Sequence, residues 1–103
     1  MFIKDTFVHT VYFWLKNPAD LDAFIEGVKG LASISYLRDV HVGAPVPSDK
    51  PIVESSYHVS LLTLFNSKAD HDAYQVDPIH DAFLTNYVKQ YVERVMVTDS
   101  VDA

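Results

Sequence analysis

Runs of apolar and aromatic side chains predict four β-strands along the chain. The clearest is Phe7–Leu15, a near-continuous apolar run with one histidine, which is typical of a strand buried on both faces. Tyr57–Phe65 alternates with a period of two and predicts a second strong strand. Tyr36–Val42 is a weaker candidate that ends at a Gly-Ala-Pro turn, and Val92–Thr98 alternates again near the end of the chain.

A helix and a loop account for the residues between the first three strands. Asn17 followed by Pro18 is typical of a helix start, and apolar residues recur behind it at helical spacing as far as Leu31. Residues 45–56 hold three prolines among polar side chains, which indicates a surface loop.

Two further helical segments precede the last strand. Ser67 and Asp70 resemble a capping box that opens the first of them. This helix must end before Pro78, because the residue before a proline avoids the helical conformation. Asp77 is expected to cap a new segment at Pro78, where the missing N–H group of proline costs no hydrogen bond.

The order β-α-β-β-α-β, with the last helix broken at its proline, predicts a ferredoxin-like α+β fold. We expect one domain over residues 1–103, with a four-stranded antiparallel sheet and its helices on one face. The first and third strands are apolar on both faces, whereas a strand with one face in water should alternate. The uncovered face is therefore expected to pack against a second copy, giving a homodimeric α+β barrel in which the two sheets enclose a hollow.

Charge and composition restrict the partners and the compartment. The net charge is −6 and the basic residues are scattered singly, so no basic surface for nucleic acid or anionic membrane is predicted. There is no apolar run of membrane-spanning length and no signal-peptide pattern, which favours a cytoplasmic protein. Because the chain contains no cysteine, acid–base chemistry falls to His, Tyr, Asp and Glu.

No spacing in the sequence indicates a metal, a nucleotide or another cofactor. The histidines show neither the i, i+4 helical spacing nor the H-x-H arrangement of familiar zinc sites. A Gly-rich phosphate loop and a G-x-S-x-G nucleophile elbow are also missing. The sequence accordingly predicts no metal and no cofactor.

Four side chains are candidates for acid–base chemistry. His9 and His58 each lie in an apolar strand, and their rings are expected to lie close on one face if those strands form the centre of the sheet. His80 is the third helical residue after Asp77, where the helix dipole favours the neutral imidazole of a general base, although neighbouring aspartates oppose this. Tyr74 is placed to donate its O–H to an enolate oxygen. The predicted pocket walls are Phe7, Val11, Phe13, Ser60 and Leu62.

Each candidate also has a structural explanation. A histidine in a strand is often a core or interface residue with a hydrogen-bond partner. His80 would be neutral at any buried helix start, and Tyr74 is suited to packing with its hydroxyl satisfied. Asp77 is interpreted as a helix cap alone. His71, between two aspartates, and His41, in the weakest strand, are expected to be solvated.

Several motifs, in order, resemble the stress-responsive A/B barrel (Dabb) family. They are the histidine of FVHTVYFWLK and the stretches RDVHVG, SYHVSLLTLF and YQVDPIH, which together cover nearly the whole chain. The last has Asp77 where the family usually has histidine. The resemblance implies a dimeric α+β barrel. In the olivetolic acid cyclase branch of the family, it also implies a functional set at His9, His58, Tyr74 and His80.

Three functions fit these residues. In the first, a binding module holds a small hydrophobic, carbonyl-rich ligand in an apolar pocket lined by His and Tyr. In the second, a cofactor-free polyketide cyclase or lyase carries out aldol chemistry with His80 as general base. In the third, a cofactor-free monooxygenase uses a similar fold. A cavity of about 300 Å³ or more, lined by His58, Tyr74 and His80, would favour ligand chemistry over a module with a filled interior.

Overall fold

A computed structural model describes all 103 residues and contains one sheet with helices against one face. The strands are β1 (Phe7–Leu15), β2 (Asp39–Gly43), β3 (Val59–Phe65) and β4 (Val92–Val101). The helices are α1 (Leu21–Lys29), α2 (Lys68–Gln75) and α3 (Pro78–Phe83); short 3-10 turns, Pro18–Asp20 and Gly30–Ser33, flank α1. Behind α3 the chain continues through a π-helical turn, Leu84–Val88, and a last helical turn, Lys89–Tyr91. The ferredoxin-like class predicted from the sequence is confirmed.

The sheet has the strand order β2-β3-β1-β4, and every neighbouring pair is antiparallel. The two most apolar strands, β1 and β3, therefore form its centre, as predicted. In this register His9 of β1 lies opposite Thr63 of β3 on one side and Asp99 of β4 on the other. The register decides which side chains from distant parts of the chain can share a site.

The strand boundaries differ from the expected ones where pairing overrides the hydrophobic pattern. β1 has the predicted limits, but β2 begins at Asp39 because the preceding residues turn, with the N–H of Leu37 donating to the carbonyl of Ile34. β4 continues past Thr98, since it pairs with β1 as far as Val101. This extension brings Asp99 into the sheet.

The three predicted helix starts are confirmed by their caps. The side chains of Asn17, Ser67 and Asp77 each accept a hydrogen bond from a backbone N–H two or three residues later, at 2.8 to 3.1 Å. These bonds satisfy N–H groups that have no partner inside the helix.

No helix in the structure is both long and apolar enough to cross a lipid bilayer.

The core lies between the inner face of the sheet and the helices. Alternate residues of β1 and β3 point into it, and Phe24 of α1 and Phe83 of α3 complete the aromatic packing. The other face of the sheet is also rich in apolar side chains, and these are only partly covered within one chain: Val8, Tyr12, Leu62 and Met96. The second apolar face predicted from the sequence is thus present.

Candidate functional site

A cavity of about 180 Å³ lies between the inner face of the sheet and the helices after β3. Its polar side chains are those of His9, Tyr74, Gln75 and His80. The rest of its wall is apolar: Val11, Phe13, Leu61, Phe83, Leu84, Val88, Val95 and Val97. Leu84, Val95 and Val97 are each close to half exposed, so the mouth lies between the π-helical turn and β4.

The cavity lies within a single chain, whereas the hollow expected from the sequence lies between two sheets. His9 occupies one of the β1 positions that alternate towards the helices, and the side chains next to it point to the opposite face. Val11 and Phe13 line the cavity as predicted, while the other three predicted wall residues do not. Ser60 and Leu62 are excluded because they point to the outer face of the sheet.

The break between α2 and α3 places Tyr74 and His80 together. Asp77 adopts an extended conformation between the two helices, and its N–H donates to the carbonyl of Tyr74 at 3.2 Å. Pro78 then starts α3 without needing a hydrogen bond. Both side chains turn inward and are buried, with ring centroids 4.8 Å apart in an edge-to-face arrangement. The segment YQVDPIH is therefore a helix break and also one wall of the cavity.

His80 is held neutral by its surroundings. Burial lowers its pKa below the usual 6.5, and the nearby carboxylates of Asp81 and Asp77 offset this effect only in part. Its Nδ1 atom is buried and has no hydrogen-bond partner in the chain. A buried polar atom without a partner is rare in folded proteins, and this one belongs to a side chain in the cavity wall.

Tyr74 is suited to donating a hydrogen bond and unsuited to accepting a proton. Its side chain is almost fully buried, and this burial raises the pKa of the phenol. The hydroxyl therefore keeps its proton at neutral pH. The role of an O–H donor beside a carbonyl oxygen stays a prediction for this residue.

His9 is fixed by partners at both of its nitrogen atoms. Nδ1 lies 2.5 Å from Oδ1 of Asp99, and Nε2 lies 3.3 Å from the amide nitrogen of Gln75. Burial lowers the pKa of His9 more than Asp99 raises it, so we describe the contact with Asp99 as a hydrogen bond from a neutral imidazole. The sequence did not indicate Asp99 or Gln75. The pairing of β1 with β4 would have indicated Asp99, had β4 been predicted at its full length.

His58 does not belong to the cavity. It immediately precedes β3, five positions before Thr63, the partner of His9, and an odd number of steps along an extended chain places it on the opposite face. Its Nδ1 accepts a hydrogen bond from the backbone N–H of Leu15 at 3.0 Å. The predicted proximity of His9 and His58 on one face is wrong, and the contact of His58 with the end of β1 indicates a structural role.

His71, which was expected to be solvated, is buried. Its ring stacks on Phe7 with centroids 4.3 Å apart, and its Nδ1 lies 3.0 Å from a carboxylate oxygen of Asp72. The useful signal was the spacing of three residues between His71 and Tyr74, which puts both on one face of α2. His41 is exposed, as expected.

The strand order and the cavity beneath the helices define a ferredoxin-like α+β protein. The chain belongs to the family of the stress responsive A/B barrel domain (Dabb), whose model matches residues 7–102. The resemblance in the sequence motifs is thereby confirmed. No curated protein matches the chain.

Solved structures share the fold at low sequence identity. A Dabb family protein with a ferredoxin-like fold from Mesorhizobium loti has 24% identity and a TM-score of 0.79, over 95% of this chain and 97% of that one. A dimeric ferredoxin-like protein of unknown function from Bacteroides fragilis has 20% identity and a TM-score of 0.76, over 98% and 100%. A hydroxynitrile lyase from Passiflora edulis has 18% identity and a TM-score of 0.74, over 95% and 94%. These similarities concern the fold.

Proposed function

We propose that the protein is a homodimeric binding protein whose cavity holds a small apolar ligand with a carbonyl group. The observation that supports this most directly is the unpaired Nδ1 of His80, a side chain that lines an apolar cavity beside Tyr74. A buried polar atom without a partner costs about 1 to 3 kcal/mol, and a ligand that completes the hydrogen bond removes that cost. The O–H of Tyr74 would then orient the carbonyl oxygen.

The volume and the wall of the cavity define the size of the ligand. At about 180 Å³ the cavity is smaller than the roughly 300 Å³ of a pocket for a drug-sized molecule. An apolar protein cavity of about 150 Å³ is sufficient to bind benzene. We therefore expect a ligand with one ring or a short branched chain, whose apolar part contacts the phenylalanine and valine side chains.

Binding of two probes of similar shape tests this proposal. Acetophenone carries a carbonyl group and toluene does not, and each is titrated into ¹⁵N-labelled protein while the amide resonances near Tyr74 are followed. Tyr74→Phe should weaken acetophenone binding about 2- to 13-fold, corresponding to one lost hydrogen bond of about 0.5 to 1.5 kcal/mol. Toluene affinity should not change. Tyr87→Phe is the matched control, because Tyr87 does not line the cavity.

Two results would refute the binding proposal. In one, neither probe shifts the resonances of residues that line the cavity. In the other, acetophenone binds equally well to the wild-type protein and to Tyr74→Phe, so that the carbonyl has no partner at this hydroxyl.

A second candidate function is proton transfer from the bound ligand, in a lyase or aldol reaction. The observation that favours it is the neutral imidazole of His80 against the ring of Tyr74, which places a base beside an O–H donor. The fold is also that of the Passiflora edulis hydroxynitrile lyase. The same acetophenone titration, repeated in D₂O, reports this chemistry: His80 removes a methyl proton, Tyr74 stabilises the enolate, and a deuteron returns from solvent. Exchange that is unchanged in His80→Gln would eliminate this candidate.

The homodimer is proposed from the outer face of the sheet. Apolar side chains on that face remain partly exposed in a single chain. In a sheet with one face in water, the residues that point to the water are usually polar. Covering this face with its own copy would remove those side chains from water. The Bacteroides fragilis protein of the same fold is described as dimeric.

A further inference from the structure

Five side chains form a hydrogen-bonded row beside the cavity, in the order Asp99, His9, Gln75, His71 and Asp72. At the two ends, a carboxylate oxygen lies against the Nδ1 atom of each imidazole, at 2.5 Å for His9 and 3.0 Å for His71. In the middle, the amide nitrogen of Gln75 lies 3.3 Å from Nε2 of His9 and 3.4 Å from Nε2 of His71. The row is thus symmetric about Gln75.

The carboxylates determine how both imidazoles are protonated. A carboxylate only accepts, so each Nδ1 carries the hydrogen and each Nε2 presents a lone pair. The NH₂ group of Gln75 has two hydrogens and donates one to each ring. The lone pairs of His9 and His71 therefore converge on one position, which is now taken by a group of partial positive charge.

We propose that this position is a binding site for a divalent transition-metal ion, with Nε2 of His9 and Nε2 of His71 as ligands. The side-chain oxygen of Gln75 becomes the third ligand when its amide turns over. Imidazole nitrogen suits Zn²⁺, Co²⁺ and Ni²⁺ better than it suits Mg²⁺ or Ca²⁺. The site is independent of the proposed ligand contacts at Tyr74 and His80.

The surroundings of the two histidines match those of a metal-bound pair. Histidine ligands in metalloproteins almost always donate their other N–H to a carboxylate, a carbonyl or water, and here Asp99 and Asp72 accept those hydrogens. Both rings are buried, with centroids 4.9 Å apart. Single ligand atoms of His9, His71 and Asp99 also lie within 4.8 Å of one another.

The location gives the site a route to small ligands. His9 and Gln75 both line the cavity, so an ion between them would have an open coordination position on the cavity side. His71 and Gln75 are four residues apart on α2, and His9 lies in the central strand β1. Ligands on regular elements of this kind need little rearrangement to reach a metal.

Metal titration of the protein without a polyhistidine tag tests the site. Co²⁺ should produce visible absorption bands that saturate at one ion per chain, and calorimetry with Zn²⁺ should give the same stoichiometry. Asp72→Asn should weaken metal binding about 10- to 100-fold, because Asp72 does not bind the ion itself but holds the ring of His71 in place. His71→Gln removes a ligand and should weaken binding at least as much. His41→Gln and His58→Gln should retain the wild-type affinity.

Gln75→Glu separates a metal site from a row of hydrogen bonds. A carboxylate at this position completes a set of two histidines and one acid, so the affinity for Co²⁺ should rise above that of the wild-type protein. Circular dichroism checks that each variant is folded. The proposal is overturned if the wild-type protein gives no visible bands, if His71→Gln binds Co²⁺ as tightly as the wild type, or if Gln75→Glu does not tighten binding.

Discussion

At His80, burial links the protonation of one side chain to the stability of the whole chain. The pKa of His80 lies below its usual 6.5 in the folded protein, chiefly because of burial, and burial lowers the pKa of His9 as well. In the unfolded chain both groups titrate near 6.5. The unfolded state therefore binds more protons once the pH falls below that value, and the free energy of unfolding decreases.

Acidification should accordingly destabilise the protein through its buried histidines. Urea denaturation at pH 7.5, 6.5 and 5.5 should give a free energy of unfolding that decreases with each step, and His80→Gln should reduce the decrease. His41→Gln is the control, since it removes a histidine that is exposed in the folded chain. A stability that increases from pH 7.5 to 5.5, or a slope that is the same in His80→Gln, would contradict the pKa shift.

The residues of the site differ in how far the sequence could predict them. The positions of Tyr74 and His80 were predictable because a helix break fixes both, and a cap and a proline mark that break in the sequence. His58 was misassigned, because proximity in a sheet depends on the parity of the register as well as on strand order. Asp99 was missed because its role depends on pairing between strands at opposite ends of the chain.

Among the elements, the π-helical turn shapes the cavity and is held in place by α1. Leu84 and Val88 of this turn line the cavity, and Tyr87 of the same turn packs directly on the backbone of Gly27. A Cβ atom at Gly27 would lie 2.3 to 2.6 Å from the ring of Tyr87, which is closer than real contacts allow. The glycine therefore allows α1 and the turn to approach each other.

Gly27→Ala should destabilise the protein despite the higher helix propensity of alanine. Crowding of a packed interface costs about 1 to 3 kcal/mol, against a gain of about 1 kcal/mol or less from propensity. Gly30→Ala is the matched control, because the space around Gly30 is open and the same change should be neutral or stabilising. Urea unfolding of both variants provides the comparison, and equal effects would show that the contact with Tyr87 carries no energy.

The elements themselves were predictable where a local signal determined them. Both limits of β1 were predicted correctly, because its apolar run is bounded by polar residues on both sides. The starts of the helices were predicted because each has its own capping side chain. The end of β4 was not predicted, because its last residues are exposed and only their pairing with β1 makes them a strand. The π-helical turn has no sequence signal and follows from packing on α1.

On the scale of the whole molecule, the two faces of the sheet differ in how far one chain covers them. The inner face forms the core and the cavity within one chain, so the site does not require a partner for its walls. The outer face keeps apolar side chains partly exposed, and the net charge of −6 gives two copies a mutual repulsion. A stable dimer would therefore depend on burial of the outer face.

Leu62→Asp should convert the proposed dimer into a folded monomer that still binds acetophenone. Leu62 points to the outer face, where a buried carboxylate without a partner would be costly, and it does not line the cavity. Val76→Asp is the control, since Val76 is 73% exposed at the break between α2 and α3, away from the sheet. Light scattering coupled to size exclusion at micromolar concentration should give a dimer for the wild type and the control. A wild-type monomer would refute the proposed interface, and a Leu62→Asp monomer that has lost acetophenone binding would show that the cavity depends on the second copy.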